Sequence, residues 1–176
     1  MTMTLIETKT LGASAASIEF ASIPQTYTDL LFAVSVRATG VGSDNVADGT
    51  FRFNSSTANF SYRFLGGNGI NSFSGTGASA GFIGWHPSSS ATSNTFGNAF
   101  VYIPNYTATT NRSYSVDSMA ENNATVTYSC ALAGLWSNSA VISNIAFFTS
   151  ATDFAIGSTI SLYGILKGSS GGVTVS

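Results

Sequence analysis

The tightest constraint in this chain is a two-residue alternation of apolar and polar positions that recurs along its length. A period of two fits a strand buried on one face, whereas an amphipathic helix needs a period near 3.6. Leu30, Phe32, Val34 and Val36 interleave with Leu31, Ala33, Ser35 and Arg37, Phe51 and Phe53 flank Arg52, and Phe60, Tyr62 and Phe64 alternate with Ser61 and Arg63. The same beat returns at Tyr114 and Val116, and at Val126, Tyr128, Cys130 and Leu132. Further strands are expected over 4–11 and 17–21, and 142–148 and 159–166 are apolar on both sides in places, as doubly covered strands are. No window sustains a helical period, and the strong helix formers Glu, Lys and Gln are scarce.

Turn residues divide these runs. Residues 54–59, Asn54-Ser55-Ser56-Thr57-Ala58-Asn59, read as a hairpin loop, and Glu121-Asn122-Asn123 as a second. About ten short strands separated by Gly, Asn and Ser predict an all-β, antiparallel, jelly-roll-like sandwich. Residues 1–167 form its single domain, and 168–176 read as a flexible Gly/Ser tail with a short terminal strand at Val173-Thr174-Val175. Residues 66–94 are too long for a bare connection and carry Phe73, Phe82, Ile83 and Trp85, which predicts a contact-forming loop.

Charge narrows the function. Asp, Glu, Lys and Arg make up 8% of the 176 residues, against about 25% in ordinary soluble domains. A surface so poor in charge is expected to be covered by other protein. The net charge of -2 leaves no basic stripe to neutralise phosphates, so nucleic acid is not an expected partner. No stretch reaches the roughly 18 apolar residues of a membrane helix. The N-terminal Met1-Thr2-Met3-Thr4-Leu5-Ile6-Glu7 lacks the basic and apolar regions of a signal peptide, which predicts synthesis in a cytoplasm without general secretion. Cys130 is the one cysteine and reads as a buried thiol.

The motifs that resemble chemistry are weak. Gly77-Ala78-Ser79-Ala80-Gly81 matches a nucleophile elbow, but the elbow needs a strand before its serine, a helix after it, and an acid and then a histidine downstream. The overlapping Gly75-Thr76-Gly77 run lacks the βαβ unit of a dinucleotide site. His86, the sole histidine, reads as a hydrogen-bonded loop residue. Asp44, Asn45 and Asp48 resemble a calcium loop, except that Val46 stands where an oxygen ligand is needed. No catalytic, cofactor-binding or metal-binding residue is assigned. Trp85 and Trp136, with Tyr102, Tyr106 and Tyr163, suit either a core or interface, or a sugar-stacking platform.

Leu11-Gly12, Ser17-Ile18-Glu19-Phe20, Ile23-Pro24-Gln25-Thr26-Tyr27-Thr28-Asp29-Leu30 and the closing Ile160-Ser161-Leu162-Tyr163-Gly164-Ile165 resemble small virion structural proteins of tailed phages, especially those of marine and cyanobacterial hosts. The resemblance covers about a quarter of the chain. It implies a β-rich accessory protein of the particle, either a capsid decoration (cement) protein or a tail component, and carries no catalytic residue with it. The expectation is a non-enzymatic decoration protein that forms a homo-oligomer, a trimer, and clamps the major capsid protein or other virion proteins. Phe73, Phe82, Trp85 and Trp136 are its expected partner contacts. The alternative is a carbohydrate-binding module of a phage tail or fibre, with Trp85 and Trp136 as its platform.

Overall fold

In the computed structural model, which describes residues 2–121 and 127–166, the alternating runs become twelve strands. They are β1 (Thr2–Thr10), β2 (Ser17–Phe20), β3 (Asp29–Val36), β4 (Val46–Phe53), β5 (Phe60–Gly67), β6 (Ser72–Gly77), β7 (Gly81–Pro87), β8 (Gly97–Ile103), β9 (Arg112–Ala120), β10 (Tyr128–Trp136), β11 (Ile145–Thr149) and β12 (Thr159–Leu166). An eight-stranded sheet runs β1-β12-β3-β8-β9-β10-β5-β6, and a four-stranded sheet runs β2-β11-β4-β7. All pairings are antiparallel. The protein is an all-β antiparallel sandwich.

Aromatic side chains fill the space between the sheets. Phe32 from the large sheet meets Phe20 and Phe147 from the small one edge to face, with centroids 5.4 and 5.1 Å apart. Phe51 and Phe53 pack on Tyr114 at 5.0 and 6.2 Å. Edge-to-face ring pairs at such separations add to the stability that burial of apolar area supplies. The inward set on β3 is the one that alternation marks: Leu30, Phe32, Val34 and Val36 are buried, and Ser35 is exposed.

Residues 54–59 are not a hairpin. They carry the chain from β4 in the small sheet to β5 in the large one, and Phe53 and Phe60 meet across the core with centroids 5.6 Å apart. Alternation marks a buried face without saying which sheet owns it. Residues 66–94 are likewise not a loop, since they contain β6 and β7. β6 looks like a linker because Gly75 and Gly77 lie under the rings of Phe64 and Tyr62, where an added Cβ would stand 2.5 and 2.2 Å from ring or hydroxyl atoms.

Arg37 lies one residue beyond β3 and is buried instead of facing solvent. Its guanidinium donates to the carbonyls of Thr92, Thr95 and Ala91 at 2.8 to 3.0 Å, and so pins the segment before β8. The strand expected from residue 142 begins at Ile145. β9 and β10 do pair as neighbours, while Asn122, Asn123 and Val126 of their connection, and the expected tail and terminal strand at 168–176, lie outside the described residues.

Candidate functional site

The small sheet covers the inner face of the large one, and the outer face of the large sheet has no second layer among the described residues. Strand register arranges that face in rows. One row reads Ser161, Ala33, Phe100, Asp117, Ala131, Leu65, Ser74, and the next Tyr163, Leu31, Tyr102, Ser115, Ala133, Arg63, Thr76. Leu65, Phe100 and Met119 are each more than half exposed, at 71%, 54% and 58%. Ala131 and Ala133 floor a shallow groove of about 730 Å³ along β10. Arg63 stands on one side of this groove and Asp117 on the other, and both rows contain no other charged residue.

The charge deficit of the sequence is sharper at the surface than in the composition, because three charged side chains are internal. Asp29 is fully buried and accepts from Tyr102 Oη at 2.8 Å and the Asn105 amide at 2.9 Å. Arg37 and Arg112 are spent on backbone carbonyls: Arg112 donates to Tyr106 at 3.3 Å, to Ala140 at 3.4 Å, and to Thr110. Burial lowers the pKa of both guanidinium groups from the usual arginine value.

A second concavity, of about 590 Å³, opens where β4, β6, β7 and β10 meet the loop around the 3-10 turn Ser43–Asn45. Phe73, Trp85 and Tyr128 form one wall, and Asp44, Asp48 and Asn68 supply its polar groups. Gly84 positions Trp85. With φ +88 it sits at a bulge between β4 and β7, and a Cβ there would fall 1.8 Å from Ser118 Oγ. Only glycine takes this backbone conformation and this approach of the sheets without strain. Trp85 then packs on Phe64, Phe73, Phe82 and Tyr128, with centroids 5.2 to 5.5 Å away. Tyr128 Oη donates to Asp44 Oδ2 at 2.9 Å. Burial, and then the bond to Asp44, raise the Tyr128 pKa. Burial also raises that of Asp48, partly offset by a hydrogen bond from Trp85.

The four expected contact residues separate. Phe82 belongs to the core, 5% exposed on β7, and Trp136 is 1% exposed between Phe53 and Phe60. Phe73 and Trp85 are partly buried and face the cleft. A sugar platform built on Trp85 and Trp136 together is therefore not formed, because Trp136 has no face to offer. Ser79 lies in the exposed turn between β6 and β7 with no helix after it. His86 is buried in β7, bonded through Nε2 to Thr149 Oγ1 at 2.9 Å, and desolvation lowers its pKa to about 4. It is a neutral interior histidine, not a loop residue. Cys130 is a free buried thiol, and burial raises its pKa.

Asn68 and Tyr128 escape a sequence reading because each looks like an ordinary turn or strand residue. The open face leaves a fainter trace: in β10 the outward Ala131 and Ala133 are apolar, where a solvated face would carry polar residues. No protein-family model, curated protein or solved structure matches this chain.

Proposed function

We propose that this chain is a structural subunit of a tailed-phage particle, a capsid decoration protein that oligomerises and clamps neighbouring copies of the major capsid protein. The observation that carries the reading is the open outer face of the large sheet. Leu31, Ala33, Phe100, Ala131, Ala133 and Leu65 leave apolar surface between isolated polar residues on this face, and exposed apolar surface of this kind marks protein contact. The two rows across seven strands cover roughly 34 by 14 Å, over half of the roughly 800 Å² that each partner contributes to a standard interface. Arg63 and Asp117 give the patch one charge of each sign, so a second copy of the same face can neutralise both.

The particle enters through the resemblance, and its two halves are neighbours in space. β12 pairs with β3 at Leu162 and Phe32, the Thr28 amide donates to the Ile165 carbonyl at 2.9 Å, and the Tyr27 ring lies against Gly164. Of the segments that resemble virion proteins, 27–30 and 160–165 thus lie side by side at the large sheet, while Ser17–Phe20 stands in the small one.

The test is made on purified particles of the phage that encodes the chain, by quantitative mass spectrometry and cryo-electron microscopy. The reading expects many copies per particle, seated on the capsid with the large sheet against protein. Absence from washed particles contradicts it, as does density confined to the tail.

A further inference from the structure

The cleft beside Trp85 has a chemistry of its own, independent of how the open face is used. We propose that it binds an uncharged pyranose unit of a glycan. Its wall is aromatic, with Phe73 and Trp85 5.5 Å apart and Tyr128 5.2 Å from Trp85. Such a wall can bury the C–H surface of a sugar ring, while nearby oxygens take up its hydroxyls.

The polar groups are held in place before any ligand arrives. Asn68 Oδ1 accepts from the amides of Ile70 at 3.1 Å and Asn71 at 2.8 Å, which holds the side chain at the cleft. Tyr128 in turn donates to Asp44 at 2.9 Å. A carboxylate has about four acceptor positions, so each aspartate retains capacity for ligand hydroxyls. Groups fixed in this way lose little entropy on binding.

The volume of about 590 Å³ falls within the range of small-molecule sites, about 300 to 1,000 Å³. Among the described residues no Lys, Arg or His lines the cleft, so Asp44 and Asp48 disfavour uronic and sialic acids by like-charge repulsion.

The experiment is isothermal titration of the intact protein with methyl glucoside, methyl mannoside, methyl galactoside and N-acetylglucosamine, with glucuronate and arginine amide as charged comparisons. The expected result is saturable millimolar binding of at least one neutral pyranoside, none of glucuronate, and at least a tenfold loss in Asp48→Asn. Asn68→Ala, which leaves both carboxylates in place, serves as the second variant, and melting curves check that both fold. Silence of every neutral pyranoside at tens of millimolar overturns the proposal. So does binding of arginine amide in their place, or pyranoside binding that neither variant weakens.

Discussion

Tyr128 on β10 reaches the turn at Asp44, 84 positions earlier in the chain, with a hydrogen bond of 2.9 Å that ties the large sheet to the loop before β4. Tyr128 is 9% exposed, so the bond is partly shielded from water, and bonds to charged groups contribute about 1.5 to 3 kcal/mol. Tyr128→Phe keeps the ring and deletes the donor. A loss of about 1 to 2 kcal/mol in urea melts is expected, with faster amide exchange over 41–45.

Phe82 and Phe32 sit on opposite sheets of the core, 5% and 0% exposed. Replacing either by alanine removes buried area and leaves a cavity, at about 3 to 5 kcal/mol. Ser35→Ala, on the exposed side of β3, should shift stability by no more than about 0.5 kcal/mol. Denaturant midpoints rank the three, and a mild Phe82→Ala places that ring outside the core.

The architecture was legible in the chain because burial on one face writes itself as a period of two, and it did so at Phe32, Phe51, Phe60 and Tyr114. Sheet membership was not legible, since Phe53 and Phe60 show the same inward pattern from opposite sheets. β6 and β7 were hidden by their glycines: a residue whose Cβ space is filled by Phe64 or Tyr62 must be glycine even in mid-strand, and glycine reads as loop. Of the cleft, Trp85 and Phe73 stood out as aromatics. The Asn68, Tyr128 and Asp44 chain did not, because it joins residues brought together only by the sandwich.

His86 makes stability depend on pH. Its imidazole titrates at about 4 in the folded chain against an ordinary 6.5, so between these values the unfolded state binds more protons. The contribution is fully present above about pH 6.5 and is lost as pH falls toward 4, by about 3 kcal/mol in total. Urea midpoints at pH 7 and pH 5 should differ in the parent protein, and the difference should shrink in His86→Gln.

Arg37 gathers carbonyls from Ala91, Thr92 and Thr95 with its planar fork. Arg37→Lys keeps the charge but cannot reach them all, leaving buried acceptors unpaired at about 2 kcal/mol. Hydrogen exchange should localise the loosening to residues 88–95, with β9 and β10 as protected as before.

Light scattering on a paired variant tests whether protein covers the outer face of the large sheet. Leu65 and Phe100 are each more than half exposed on that face. Leu65→Lys with Phe100→Lys adds two like charges that a second copy of the face repels, while the new amine at position 100 faces its cross-strand partner Asp117 and so spares the fold. The parent protein is expected to be a homo-oligomer at micromolar concentration, and the double variant a monomer with an unchanged melting temperature. A parent protein that is monomeric throughout, or a double variant that retains the parent's mass, contradicts it.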